Sequence, residues 1–555
     1  MNISMSKKRV GEQLVDILNK LGIEFFFGTP GTEFAPIIER FDELDSSSGI
    51  LPVTVPHEYL AVNMAYGTYL ANSKPAAVMV HNTIGTLNAA AAIMNAHRMC
   101  IPLIFIAGRT ATTENDRFGC RDLFIHWAQE SFDQASSIRE YVKWDYELRD
   151  ASMLSDVLNR AYAIAMEEPR GPVYLVLPRE IMLEEVDSLP VNISNVVPTR
   201  LASEKKKLIE IANLINNSKR PVILSKTIGE TLDGYSAFAN FCKTGNIPAI
   251  MPDANYMNMS TEHPMHMGHN LNDCLAESDL IINLDMDVPW IPKNSSINKD
   301  AIVVHIGVDP LFKSIPIRSF PAHHLIRSNP ALALEQIIEY LIESRSTERL
   351  LWIQKLKNLK SKKLDEKDND SHKFSKEKIA SIIGKYLTEE MILLNELSLP
   401  IEEIPFKYSG TYFRTGSASG LGWAMGAGLG LGLVKKDKII INVIGDGAYY
   451  FGNPLAYHWC ANALELKMIT IILNNGGMHS IAKNVKDLLQ KPERANNTKL
   501  PFLNLTPSLK FEEIAKTFNG VGNLVSTCED FETEFEQAIK LARHGSKQTI
   551  MNCII

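Results

Sequence analysis

Short runs that are apolar at every position, each followed by a stretch of helical periodicity, recur along the chain, and few folds accept that pattern. A strand with one face in water alternates polar and apolar residues. A strand with no polar face must be covered on both sides, as in a parallel sheet between two layers of helices. From residue 10 to about 185 helix and strand take turns: GEQLVDILNKLG, IEFFFG, HEYLAVNMAYGTYLA, AAVMVH, TLNAAAAIMNAHR, PLIFIAG, VLNRAYAIAM and PVYLVLP. A second set, PVILS, IPAIMP, DLIINLD and AIVVHIG, follows a stretch at 188–207 with the Pro, Asn and Ser content of a linker. A third runs from EEMILLNE through KIIINVIGDG and MITIILNN to the C-terminus. The pattern predicts an α/β chain of three doubly wound parallel-sheet domains, over 1–187, 188–354 and 383–555, with the densely charged 355–382 as a solvated connector.

At 555 residues the chain is too long for one core, which agrees with three domains. A net charge of −7 argues against a nucleic-acid partner, since phosphate binding shows as a basic excess or face. The seven cysteines are scattered and form no Cys-x-x-Cys, so a reducing cytoplasm is expected rather than a disulfide framework or a thiolate metal site. No apolar run reaches the length of a membrane span, and the charged N-terminus has no signal-peptide segment.

Two strand ends carry the most informative motif. KIIINVI closes on Gly445-Asp446-Gly447, PLAYHWCANAL is a plausible crossover helix, and MITIIL closes on Asn474-Asn475. In a doubly wound sheet ligands sit outside the carboxyl ends of strands, so both groups face one crevice. Glycine lets backbone approach a phosphate, and the following helix turns its amides and positive dipole end towards an anion. Asp446 and Asn475 offer hard oxygens, which suit Mg²⁺ bridging to phosphates; a diphosphate held through a metal ion is the expectation.

This pair of motifs resembles the signature of thiamine diphosphate enzymes. The resemblance covers nearly the whole chain, as an order of pyrimidine-binding, central and diphosphate-binding domains. It implies that Asp446, Asn475 and the Gly477 carbonyl ligate Mg²⁺, with Gly445, Gly447 and Ala448 near the diphosphate. Glu58, in VPHEYLAVNMAYGTYLA, matches the glutamate that hydrogen-bonds the aminopyrimidine and so helps to remove the thiazolium C2 proton. Leu421, in SGLGWAMGAGLG, matches the aliphatic wedge that bends the cofactor in benzoylformate decarboxylase. In the family one subunit contacts the pyrimidine and another the diphosphate, which implies at least a homodimer, or a homotetramer.

For the substrate, two subfamilies compete. Thr32 stands where benzoylformate decarboxylase has a substrate-binding serine, and VHNTIGTLNA matches that enzyme's active-site loop, with His81 as its catalytic histidine. HWAQESFDQASSIREYVKW resembles a segment of acetolactate synthases, with Gln129 as their active-site glutamine, and His479 in GGMHSIAKNV could enter the pocket. His263, His266 and His269 lack an accompanying Cys or acid and read as structural. No convincing GxGxxG supports the FAD that acetolactate synthases carry. The resemblance therefore implies decarboxylation of a 2-oxo acid with transfer of the acyl carbanion to an aldehyde or 2-oxo acid acceptor, in an acetolactate-synthase-like carboligase. Simple decarboxylation is the runner-up, ahead of a flavin-linked oxidase or a non-catalytic subunit.

Overall fold

The computed structural model describes residues 7–45, 49–187, 197–342, 346–367, 374–397, 399–490, 500–545 and 547–555. The chain forms two compact units, one from 1–198, 415–524 and 538–554, the other from 199–414 and 525–537. The expected parallel sheets are present.

In the first unit, β1 (Phe25–Thr29), β2 (Leu51–Thr54), β3 (Ala77–Val80), β4 (Ile104–Arg109), β5 (Asp145–Glu147) and β6 (Val173–Pro178) lie in the order β2-β1-β3-β4-β6-β5. Every ladder is parallel. β3 and β6 are buried along their whole length, as their unbroken apolar runs require. Helix α1 (Glu58–Asn72) leads into β3, and α2 (Asn82–Arg98) leaves it.

The second unit holds a five-stranded parallel sheet of β7 (Pro221–Ser225), β8 (Ala249–Ile250), β9 (Leu280–Leu284), β10 (Ile302–Gly307) and β11 (His324–Arg327), in the order β8-β7-β9-β10-β11. Residues 188–196 of the expected linker lie outside the described residues. The stretch expected as a solvated connector is helical at both ends. Helix α3 (Thr347–Lys367) puts Trp352, Ile353 and Leu356 into the core of this unit. Lys376–Tyr386 buries Ile379, Ala380 and Ile383, while 368–373 lie outside the described residues. The apolar residues recur at helical spacing between the charges, and it is that spacing that the core uses.

The first unit is completed by α4 (Trp423–Val434), β12 (Ile439–Gly445), the short helix α5 (Asp446–Phe451), β13 (Met468–Asn474), α6 (His479–Leu489) and β14 (Thr549–Ile554). β13 pairs in parallel with both β12 and β14. The expected crossover helix is present at Pro454–Ala463, capped by Asn453. Helix α4 is buried almost all round and lies against α1. Its glycines allow that contact: a Cβ on Gly430 would stand 2.0 Å from the carbonyl oxygen of Met64. Among the described residues no helix is long and apolar enough to cross a membrane.

Candidate active site

The first sheet reverses its strand order between β1 and β3, and at such a switch point the departing loops leave a crevice at the carboxyl ends of the strands. Residues 30–33 follow β1, and His81 and Asn82 follow β3. The imidazole of His81 lies across the crevice. Its Nδ1 is 2.9 Å from Oε1 and 2.8 Å from Oε2 of Glu33. Its Nε2 is 3.2 Å from the amide nitrogen of Gln129 and 3.2 Å from that of Asn82. Asn82 also donates to Oε1 of Gln129 at 2.9 Å, which closes the cluster.

Glu33 is 4% exposed, so its carboxylate is all but removed from water and His81 is its charge partner. The hydrogen bond to Glu33 is the largest influence on His81 and pushes its pKa up; burial opposes it, and the charge of Glu58 adds a smaller push upward. Gln129 ends a short helix at Ile125–Ala128, and its carbonyl accepts from the Thr83 hydroxyl at 3.2 Å. The next residue, Glu130, is clamped by Arg109 and Arg121 at 2.7 Å each, which fixes the turn that presents the glutamine.

Glu58 opens α1, where a carboxylate meets the positive end of the helix dipole. Its Oε2 accepts from Asn88 at 3.0 Å. The hydroxyl of Tyr59 donates to the carbonyl of Gly420 at 2.9 Å, and Gly420 also exchanges two hydrogen bonds with the Asn95 amide. These contacts hold the loop on which Leu421 stands exposed.

At the other strand ends, Asp446 is 4% exposed and both of its carboxylate oxygens are in use. Oδ1 accepts from the Gly447 amide at 2.8 Å, and Oδ2 from the Gly476 amide at 2.9 Å. No cationic side chain among the described residues pairs with it. Burial pushes its pKa up, against the pull of these amides. A buried carboxylate supplied only with backbone donors has the chemistry that suits a hard cation. Asn475 is half-buried, and its Oδ1 accepts from Gly477 at 3.1 Å. Asn474, one residue earlier, is a structural tie, donating to Ser508 and Asn552 at 3.0 Å each. Asp446, the Asn475 amide oxygen and the Gly477 carbonyl therefore fit a hard divalent cation. Gly445 is the N-cap residue of α5, and Gly447 and Ala448 lie in its first turn.

Of the residues expected from the sequence, the structure brings His81 and Gln129 into contact, with Glu58 as a neighbouring charge. Thr32 is exposed one residue before Glu33, and His479 is exposed at the start of α6. Neither has a hydrogen bond to the His81 cluster among the described residues. Glu33 and Asn82 had not been singled out. The signal was the one used for His81, a polar side chain just beyond the end of an apolar strand, but the resemblance to a serine drew attention to Thr32 instead. His263 and His266 close their own turns, and His269 ties back to the strand end at Met251. Nδ1 of His263 accepts from Met265 N, Nδ1 of His266 accepts from Gly268 N, and His269 bonds the Met251 carbonyl.

The model of the thiamine pyrophosphate enzyme N-terminal TPP binding domain matches residues 8–137, and that of the C-terminal TPP binding domain matches residues 401–552. The chain belongs to the thiamine pyrophosphate enzyme family. Among its curated relatives, the acetolactate synthase large subunit of Lactococcus lactis is 22% identical over 497 residues, covering 86% of this chain and 83% of that protein. The benzoylformate decarboxylase of Pseudomonas aeruginosa is 24% identical over 558 residues, covering 97% of each. Among solved structures, a benzoylformate decarboxylase from Polynucleobacter necessarius superimposes with a TM-score of 0.81 at 20% identity, over 99% of this chain and 98% of that one. As a thiamine pyrophosphate enzyme, the chain carries the His81 cluster within its N-terminal match and Asp446 and Asn475 within its C-terminal match.

Proposed function

We propose that this chain decarboxylates a 2-oxo acid with thiamine diphosphate and Mg²⁺ and passes the acyl fragment to a carbonyl acceptor, as an acetolactate-synthase-like carboligase. Thiamine diphosphate, when bound, supplies a nucleophilic carbon for the keto group and a cationic ring that accepts the electrons released with CO₂. Asp446, Asn475 and the Gly477 carbonyl would hold the metal against the diphosphate, with Gly445, Gly447 and Ala448 beside it. Glu58 would hold the proton relay at the aminopyrimidine, and Leu421 would support the bend of the cofactor.

The observation that carries the reading is the contact between His81 and Gln129 at a switch-point crevice. Decarboxylation with transfer requires a group that exchanges a proton with a developing alkoxide and donors that orient a carbonyl oxygen. An imidazole whose pKa is pushed up by its hydrogen bond to Glu33, beside a carboxamide, supplies both. Thr32 and His479 are assigned to the rim of the same substrate site. The reading includes at least a homodimer with the site between subunits. Phe118, Phe124, Trp127 and Phe132 stand exposed at 74%, 98%, 48% and 111% in the segment of chain that carries Gln129, apolar surface that suits burial against a second subunit.

A second reading, simple decarboxylation to an aldehyde, is favoured by one observation. The pairing with Glu33 makes His81 a ready proton donor, and protonation rather than addition then ends the cycle. A flavin-linked oxidase is not adopted. At the ends of β7 and β9, Lys226 pairs with Asp287, and Arg318 packs on Phe312 and Phe320 while donating to the carbonyls of Met286 and Asp287. These groups are engaged with one another. Incubation with thiamine diphosphate, Mg²⁺ and a panel of 2-oxo acids, with and without aldehyde acceptors, tests the proposal by product mass. Hydroxy ketone or acetohydroxy acid supports the first reading and free aldehyde the second; no CO₂ from any acid defeats both.

A further inference from the structure

Glu33 sits in space that two glycines leave for it. A Cβ on Gly108 would lie 2.2 Å from its Cγ and 2.4 Å from its Oε1, and one on Gly31 would lie 2.0 Å from Nδ1 of His81 and 2.8 Å from Oε2 of Glu33. The carboxylate accepts from His81 and, through Oε1, from the backbone amide of Asn82 at 3.2 Å. On the other side of the ring, the amide of Asn82 cannot turn freely. Its Oδ1 accepts from the amide of Ile84 at 3.2 Å, so its Nδ2 faces Nε2 of His81 as a donor. Asn82 is itself held at φ +37°, a conformation that costs energy and persists where the surroundings fix it.

We propose that Glu33 is the positioning residue of the reaction, holding His81 as the Nδ1–H tautomer so that Nε2 stands in the crevice as the atom that takes up and returns the proton. The assignment rests on the reading that His81 exchanges a proton with substrate. The two sides of the ring act in opposition: the carboxylate favours the imidazolium, whereas the Asn82 amide, held as a donor, favours an unprotonated Nε2. A histidine placed between such groups gains and loses one proton at one atom without rotating. The charged groups near the ring are Glu33 and, more weakly, Glu58. Arg109 and Arg121 are engaged by Glu130, and Arg109 also by Glu147. Glu33 does not touch the crevice in its own right, which is why its role is positioning. A buried glutamate that merely filled the loop would leave the titration of His81 unchanged when neutralised.

The test is Glu33→Gln, which keeps the shape and a carbonyl acceptor for Nδ1–H but removes the charge. Imidazole ¹⁵N shifts of histidine-labelled protein, with His81 assigned by His81→Gln, read the tautomer and titration without substrate. The expected result is a fall of the His81 titration below its wild-type position. The acidic limb of the kcat/KM profile should move the same way, with a loss of about ten- to hundredfold in kcat and little change in KM or thiamine diphosphate affinity. An unchanged titration in folded Glu33→Gln would overturn the assignment. Where that variant does not fold, Glu33→Asp retains the charge and should keep the Nδ1–H tautomer; an Nε2–H ring there overturns the assignment equally. Should wild-type protein turn over no 2-oxo acid while Glu33→Gln still lowers the titration, the reaction is wrong and the positioning role stands.

Discussion

Replacing Gly430 by alanine tests whether the contact between α1 and α4 is as close as the backbone shows. An added Cβ would stand 2.0 Å from the Met64 carbonyl oxygen, 2.8 Å from the Thr68 amide nitrogen and 2.9 Å from the Met64 carbonyl carbon. All three are backbone atoms of a buried helix, so no side chain can swing away and the helices must separate by about 1 Å or more. Overpacking of this kind costs about 1–3 kcal/mol, and rigid neighbours put the cost at the upper end. Alanine recovers about 1 kcal/mol of helix propensity, leaving a net loss of about 2 kcal/mol, or roughly 3 °C in the melting temperature of a unit this size. Gly432, half a turn along the same helix, is the matched control. Its Cβ would meet Ile440 at 3.5 Å and Leu466 at 3.6 Å, ordinary contacts, so Gly432→Ala keeps the propensity gain without the clash. Calorimetry of both variants at one scan rate should therefore separate them, with Gly432→Ala at or above wild type. Equal melting temperatures would refute the reasoning.

Four further perturbations follow from particular residues. Mg²⁺ with thiamine diphosphate should raise the melting temperature of wild type, by about 2.7 kcal/mol of stabilisation at a hundredfold excess over Kd, and Asp446→Ala should abolish the metal-dependent part. Because burial raises the Asp446 pKa, a proton competes with the metal, and titration calorimetry should show affinity falling as pH drops towards that raised value. His97, His305 and His458 are all pushed down by burial to about 4. Each must be neutral in the folded state, so its contribution is intact above the unfolded pKa near 6.5 and is lost as pH falls from there towards 4. The loss is up to about 1.4 kcal/mol per pH unit for each group, visible as a steepening acid limb in melts against pH. Arg349, fully buried in the second unit, donates to the carbonyls of Ser218 and Gly245 at 3.1 and 3.0 Å, and to that of Ile215. Arg349→Met should cost about 1–3 kcal/mol for each carbonyl left bare, read as a lower denaturant midpoint.

How much of this was legible in the sequence depends on the range over which each signal acts. Unbroken apolar runs declared the parallel sheets because burial on both faces acts on every residue of a strand. The two strand ends beside Asp446 and Asn475 were legible because the motif is local, two short polar groups at fixed separation. The grip on Asp446 was not, since the Gly476 amide that binds it is thirty residues away. The charged stretch 355–382 hides buried positions at Leu356, Ile379 and Ala380, because a helix buries a stripe whatever charges its other faces carry. Glu33 shows the limit most clearly. Nothing within ten residues distinguishes it from any acid at the start of a helix, and its meaning comes from His81, forty-eight positions on, brought to the neighbouring strand end by the β1–β3 crossover. A carboxylate of this kind becomes readable only when strand order is known. For doubly wound chains the useful unit is therefore the set of residues one to four places beyond each strand, compared across the switch point rather than along the sequence.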